Sequence, residues 1–477
     1  MIREGIPSTS IVSDIAAKLN FACHQSAFAF LRNLRIENDD LDLELEDVVV
    51  NLASDPAFLK PKSWRLDRIA PQGAISISNR DVELEGEFLL NLADAVRGTI
   101  TITVEKDGLV IGEETKPVEL LAYNEWGGAG HMPELLAAFC TPNDPAVDTV
   151  LRDASLILRQ AGKSDGIDGY QAGSRERVWE IASAIYSAIA NFGLTYAMPP
   201  ASFERDGQKI RLPGQIMESR IGTCLDTTML FAAALEQARL NPIVVLPQGH
   251  ALVGVWLQPE ELATIVVDEA ETLRKRIQLK ELVLIETTLI TSYPAPPFSR
   301  AVQAAAELIA PGRDSTFNAA VDIRRARSHR IAPLGLTKGG SLGPATESVV
   351  PQVELALEEA PPLPDFDHGV EQETVPETPD GRLERWQRKL LDLTARNPLV
   401  NHNSTKASLP IVCPEPALLE DKLAEGSKIS IQPFPQLSSQ RQDEEIHRSR
   451  TGEEILVEYA RDALEKRQLL VDLPPEE

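Results

Sequence analysis

The sequence predicts a multidomain α+β protein: an N-terminal β-sandwich, a central α+β domain, a disordered acidic Pro-rich linker, and a C-terminal partial helical or mixed segment. Three observations carry this. From about position 40 to near Leu121 apolar residues alternate with polar ones, the period of half-buried strands. Further on, one Ala-, Leu- and Met-rich buried helix precedes several apolar runs of strand length, an α+β order and not a βαβ repeat. Beyond position 338 the composition turns to Pro, Gly and acids without periodicity, as in GGSLGP, EEAPPLPDFDH and EQETVPETPDG, which marks an extended tether. The expected boundaries are 1–35, 36–125, 126–337, 338–380 and 381–477.

Residues 1–35 place Ile11, Ile15, Leu19, Phe28 and Leu31 at helical spacing, so a helical N-terminal segment is expected. In 36–125 the period is two: Leu41, Leu43 and Leu45, then Val82 and Leu84, then Ile100, Ile102 and Val104. Asp107-Gly108, between this last run and Leu109 and Ile111, predicts a hairpin, and the strand-rich stretch reads as a small sandwich ending near Leu121. Helix follows, with Val178, Ile181, Ala182, Ile185 and Ile189 on one face. Positions 224–240 read as the buried helix, while 242–246, 251–257 and 282–285 read as strands. Residues 297–335 look helical, with a basic cluster at Arg324, Arg325 and Arg327 that suits a solvated face or acidic neighbours. Leu383, Trp386, Leu390 and Leu393 mark one more helix face, stopped at Asn397-Pro398.

A chain of 477 residues suits two to four domains. Its net charge of −25 repels phosphate backbones, so direct nucleic-acid binding is disfavoured. Apolar stretches such as 228–235 fall far short of the roughly 20 residues of a membrane span, and the N-terminus lacks a secretory pattern. Cys23, Cys140, Cys224 and Cys413 form no CxxC pair, which argues against a zinc ribbon or disulfide framework and for a reducing cytoplasm. No metal or cofactor is expected.

One constellation carries chemistry. Gly222 and Thr223 form a turn and cap, and Cys224 opens the buried helix, where the helix dipole favours thiolate and the amides can bind an oxyanion. His250, at the start of an apolar strand, is placed to act as its base. Glu286, at the end of a further strand, can accept from the other imidazole nitrogen and fix the ring; Asp268 is a rival acid. Gln208 and Gln215, both upstream of the cysteine, are alternative oxyanion donors. Asp226, in the first helical turn, reads as a structural acid. Cys23 and Cys140 read as core residues, and His131, His329 and His402 have no matching partners.

The stretch GTCLDTTML, followed by GHALVGVWL and LIETT, resembles the transglutaminase-like (papain-like) superfamily, whose core reads G-x-C-x-D, H-A, then an acid before threonine. Gly222, Cys224, Asp226, His250, Ala251 and Thr288 fit over roughly 170–335. Glu286 departs from the usual Asp, and an apparent insertion over 262–280 lengthens the gap after His250. More widely, Leu121-Ala-Tyr-Asn-Glu-Trp126, Leu136-Ala-Ala-Phe-Cys-Thr and Trp386-Gln-Arg-Lys-Leu-Leu-Asp-Leu resemble the N-terminal region of large bacterial superfamily I helicase-like proteins, some associated with defence against phage. That resemblance implies that 381–477 begins a domain of unknown function, incomplete here, and that a helicase or nuclease region acts in cis or in trans. No Walker loop occurs in this chain.

The expectation is a cytoplasmic cysteine hydrolase, a protease or deamidase working through a thioester on a protein or peptide, with Cys224 as nucleophile, His250 as base and Glu286 as orienter. The rival is an inactive module of the same fold that docks or senses for a helicase.

Overall fold

In this computed structural model, residues 9–335 and 355–366 are described, together with 411–413, 416–424, 428–433, 463–464 and 468–471. The protein is mixed α and β and divides into two units, Met1–Ala395 and Arg396–Glu477.

The first part of the larger unit is strand-rich. Its elements are β1 (Thr9–Ile15), β2 (Lys18–Leu19), α1 (Phe21–Gln25), β3 (Leu31–Asn38), β4 (Leu45–Asp55), β5 (Lys62–Ile69), β6 (Ala74–Ser76), α2 (Gly86–Leu90), β7 (Val96–Lys106) and β8 (Leu109–Leu120). They make two sheets, of order β1-β3-β6 and β2-β8-β7-β4-β5. Alternate residues Val48, Val50 and Leu52 of β4 and Ile100, Ile102 and Val104 of β7 are buried, and they share one apolar cluster with Leu34 and Ile36 of β3. Asp107 and Gly108 join β7 to β8 with φ of 51° and 78°, the doubly positive turn that Asp-Gly favours between twisted strands.

Two local expectations are corrected here. The stretch around Ile11 and Ile15 is strand, paired antiparallel with β3, and the described helix before position 35 is the five-residue α1. Apolar residues four apart share a face in a strand as well as in a helix, and Thr9, Ile11, Val12 and Ile15 are β-branched. Leu41 and Leu43 lie in the loop between β3 and β4, 74% and 42% exposed.

The second part holds β9 (Glu125–Trp126), α3 (Pro145–Gln160), α4 (Arg175–Ala190), β10 (Thr195–Tyr196), α5 (Phe203–Asp206), β11 (Gln208–Lys209), α6 (Pro213–Ser219), β12 (Ile221–Gly222), α7 (Cys224–Gln237), β13 (Pro242–Pro247) and β14 (Leu252–Trp256). It continues with β15 (Val266–Val267), α8 (Ala270–Gln278), β16 (Leu282–Ile285), α9 (Phe298–Leu308), β17 (Phe317–Asp322) and α10 (Ile323–Ser328). Five of these strands form an antiparallel sheet of order β15-β17-β13-β14-β16. Strand alternation splits its side chains between two cores. Val244, Leu246, Val253 and Val255 belong to the cluster that contains α7, whereas Ile243, Val245, Leu252 and Trp256 pack with Leu273 of α8 and Ala305 of α9.

β17 corrects the helical reading of 297–335. Its Asn-Ala-Ala-Val sequence has little strand character of its own, and its place between β13 and β15 imposes the extended form. The apparent insertion at 262–280 supplies β15 and α8. In the basic cluster, Arg325 pairs with Glu261 and Arg327 with Glu236.

The expected linker is also corrected in part. Residues 355–366 have no regular secondary structure, yet Leu355, Leu357, Ala360, Leu363 and Phe366 pack against the main core. The rest of 338–380, the helix expected over 383–393 and His402 lie outside the described residues. In the smaller unit, strand Gln468–Val471 lies between Ile411–Val412, antiparallel, and Ser430–Pro433, parallel, and helix Pro416–Ala424 links the outer two.

Helix α7 is buried continuously from Cys224 to Leu235, as suits a helix apolar on all sides. Its start is fixed by a reciprocal cap: Thr223 Oγ1 accepts from Asp226 N at 3.2 Å, and Asp226 Oδ2 accepts from Thr223 N at 2.9 Å. Asp226 also accepts from the Arg211 backbone N–H at 2.8 Å and guanidinium at 2.9 Å. Asp226→Ala, which strands those donors, should lower unfolding free energy by about 2 kcal/mol. Urea denaturation checks this, and a loss within error of zero would show that the cap is dispensable.

Candidate functional site

Cys224, His250 and Glu286 meet at one end of the antiparallel sheet. Cys224 is the first residue of α7 and has no exposed surface. His250 stands in the turn from β13 to β14, after Gly249, whose φ of 67° is a left-handed conformation that glycine adopts without strain. Glu286 follows β16, and since β14 and β16 pair antiparallel with Val253 opposite Ile285, the start of one strand faces the end of the other.

Glu286 Oε2 lies 2.7 Å from His250 Nε2, and its Oε1 accepts from Thr288 N at 3.0 Å and Thr288 Oγ1 at 2.6 Å. The threonine after the acid therefore clamps one carboxylate oxygen and turns the other toward the ring. With Nε2 committed to Glu286, Nδ1 is the nitrogen left for Cys224, whose side chain lies near enough to act on the charge of the ring. Burial opposes a charged ring, but hydrogen bonds and charge from Cys224 and Glu286 outweigh it and raise His250 from 6.5 to about 10. Burial likewise opposes a charged Glu286, and the His250 and Thr288 interactions outweigh it, holding the carboxyl below its ordinary range. The arrangement thus favours a protonated His250 beside an ionised Glu286.

The competing candidates separate in space. Asp268 is exposed at the end of β15. Gln215 is spent on α6, where its Oε1 accepts from Leu212 N at 3.0 Å. Gln208 is buried on β11, with Nε2 3.0 Å from Thr223 Oγ1 and its Oε1 unpartnered among the described residues. Thr223 Oγ1 already accepts from Asp226 N, so its own hydrogen needs an acceptor. Turning the Gln208 amide over provides one: the hydroxyl donates to Oε1, and both Nε2 donors come free beside the first turn of α7. Asp226 faces Arg211 and the cap, away from any catalytic role.

Residues 389–477 match the family described as protein of unknown function, DUF4011. No curated protein matches the chain. The matched residues fall within the segment expected to begin a domain of unknown function.

Two features of the site escaped sequence reasoning. Thr287 Oγ1 lies 2.9 Å from Thr227 Oγ1 and 3.2 Å from Thr228 Oγ1, tying the Glu286 turn to α7. The paired threonines after both the cysteine motif and the acid were the available signal. Tyr196, on β10, lies against the Cys224 side chain; burial first, and its interaction with Cys224 next, push its phenol up to about 12, so it stays protonated at neutral pH. No motif marks it. Cys23 is pushed up to about 12 by burial, and burial likewise raises Cys140 well above its ordinary value, which leaves both as inert core thiols. His131 and His329 lie away from this cluster, and His329 Nδ1 meets the Arg325 carbonyl at 2.9 Å. Among the described residues no group of three or more His, Cys, Asp or Glu is placed to hold a metal, and no helix is long and apolar enough to cross a membrane.

Because His250 is raised in the folded state, its partners stabilise the fold fully below pH 6.5 and progressively less as pH climbs through about 10. Glu286, lowered, contributes above its ordinary value of 4.5 and loses that contribution on acidification. Thermal melts of wild type and His250→Gln should differ most near pH 5–6.5 and converge toward pH 10. A gap independent of pH over that window would refute the raised imidazolium.

Proposed function

We propose that the chain carries a transglutaminase-like cysteine hydrolase site that cleaves or deamidates protein or peptide amides. The observation that carries it is the pairing of His250 Nε2 with Glu286 at 2.7 Å beside Cys224 at the head of α7. Cys224 thiolate adds to the amide carbonyl carbon, and the carbonyl π electrons move to oxygen. The first amides of α7 and the freed Gln208 donors are assigned to that oxyanion. His250 imidazolium gives its proton to the leaving nitrogen as the C–N bond breaks, leaving a thioester. Neutral His250 then takes a proton from water, which adds to the thioester and releases acid and thiolate. Glu286 keeps the ring oriented throughout and is not itself protonated.

A second reading has its own support: the Cys224 sulfur is fully buried, with Tyr196 against it. A non-catalytic module that docks or senses for a helicase would keep such a fold without an open nucleophile. The DUF4011 match supports the companion proposal that this module works beside a helicase region, because a domain of unknown function follows the transglutaminase-like domain in the helicase-like proteins it resembles.

An amide-based electrophilic probe should label wild type at Cys224 and leave Cys224→Ala and His250→Ala unlabelled. Gln208→Ala should slow turnover by about 10²-fold while leaving simple alkylation of Cys224 unchanged, since alkylation builds no oxyanion. Labelling of wild type no greater than of Cys224→Ala, in folded protein, sinks catalysis and leaves the docking reading.

A further inference from the structure

Residues 355–366 hold to the larger unit through specific contacts along their whole length. The segment LALEEAPPLPDF begins at the C-terminal end of α4, where Leu355 N donates to Asn191 Oδ1 at 3.4 Å. Glu358 Oε2 accepts from Ser299 N at 2.7 Å, supplying to the first turn of α9 the carboxylate cap that its own N-cap residue, Pro297, does not provide. Lys280 Nζ donates to the Pro362 carbonyl at 3.1 Å. At the far end the Phe366 ring meets Tyr170 edge-on, with centroids 6.3 Å apart.

The burial has a period. Leu355, Leu357, Glu358, Ala360, Leu363 and Phe366 are partly buried while Ala356, Glu359, Pro361, Pro362, Pro364 and Asp365 are exposed. From Leu357 on, the apolar residue at every third position faces the protein, which is the repeat of a polyproline II helix with one face docked. A loose tether has no reason to keep such a register over three successive steps.

The seat of this strap touches the candidate site through α9. Phe298, beside the Glu358 cap, stacks edge-on against Trp179 of α4 with centroids 4.9 Å apart. One turn on, the Ala301 carbonyl accepts the Glu286 backbone N–H at 3.1 Å. The residue that orients His250 is thus held from behind by the helix that the strap caps.

We propose that the surface made by the C-terminal end of α4, the first turn of α9, Lys280 and Tyr170 is a docking site for an acidic, proline-bearing extended peptide, that residues 355–366 are its occupant in cis, and that occupancy holds Glu286 in place. Glu286 acts here as a positioning residue, and that last clause rests on the hydrolase reading of the site. The docking itself does not.

The test uses the full chain with Leu363→Asp and Phe366→Ser, which remove two apolar anchors at the periphery, and a labelled peptide of sequence LALEEAPPLPDF. A tethered occupant acts at about millimolar effective concentration, so wild type should take up no peptide at micromolar levels, whereas the variant should bind it. The Glu358→Gln peptide should bind about two- to fivefold more weakly, the range of a charge at a helix N-terminus. Hydrogen exchange at the Glu286 amide should quicken in the variant and slow again on peptide addition. Equal peptide binding by wild type and variant, or no binding by the variant, would overturn the docking. Peptide binding with unchanged Glu286 exchange would overturn the positioning. If the double variant does not fold, Glu358→Gln in the full chain gives the same exchange readout. None of these measurements needs turnover, so an unreactive Cys224 would end the hydrolase reading and leave the docking result standing.

Discussion

The interior of the larger unit is organised around one polar problem: the first turn of a helix with no solvent around it. A helix start exposes backbone N–H groups without intrahelical acceptors, and α7 begins inside the protein. Thr223 and Asp226 satisfy each other across that turn, Arg211 and Gln208 are drawn in to complete the two side chains, and Thr227 reaches the Thr287 hydroxyl. Each of those partners sits on a different element, so satisfying the helix end fixes β11, the turn before α6 and the turn after β16 in one arrangement. Cys224 occupies the position that results.

Much of this was legible from residue types. A cysteine after Gly-Thr at the head of an apolar helix, a histidine where a strand begins, and an acid followed by two threonines each state a local conformation, and the three conformations converge. The choice between Gln208 and Gln215 was not legible, because it depends on which of two neighbouring segments reaches α7 and which closes its own helix. β17 was misread for a related reason. Ala-rich sequence carries no strong preference, and the flanking strands of the sheet decide its form. Ile11 and Ile15 misled because a spacing of four serves both periodicities. The segment 355–366 misled through composition. Prolines and acids announced a tether, while the apolar residues spaced among them mattered only once there was a core to receive them.

The acidic surplus of the chain shapes the surroundings more than the site. Arg325 and Arg327 are committed to Glu261 and Glu236, so the most basic cluster in the sequence is engaged by acids. At the centre, Glu286 meets the raised imidazole of His250, and local charge is set by that contact rather than by the total.

The division of the five-stranded sheet into two separate cores has a practical meaning for how the protein can change. Neighbouring positions on β13 answer to different partners: Val244 and Leu246 support the helix bearing the sulfur, while Ile243 and Val245 face α8 and α9. A single strand therefore offers two independent sets of dials. Drift on the outer set can retune how the sheet receives its covering helices without disturbing the seat of Cys224.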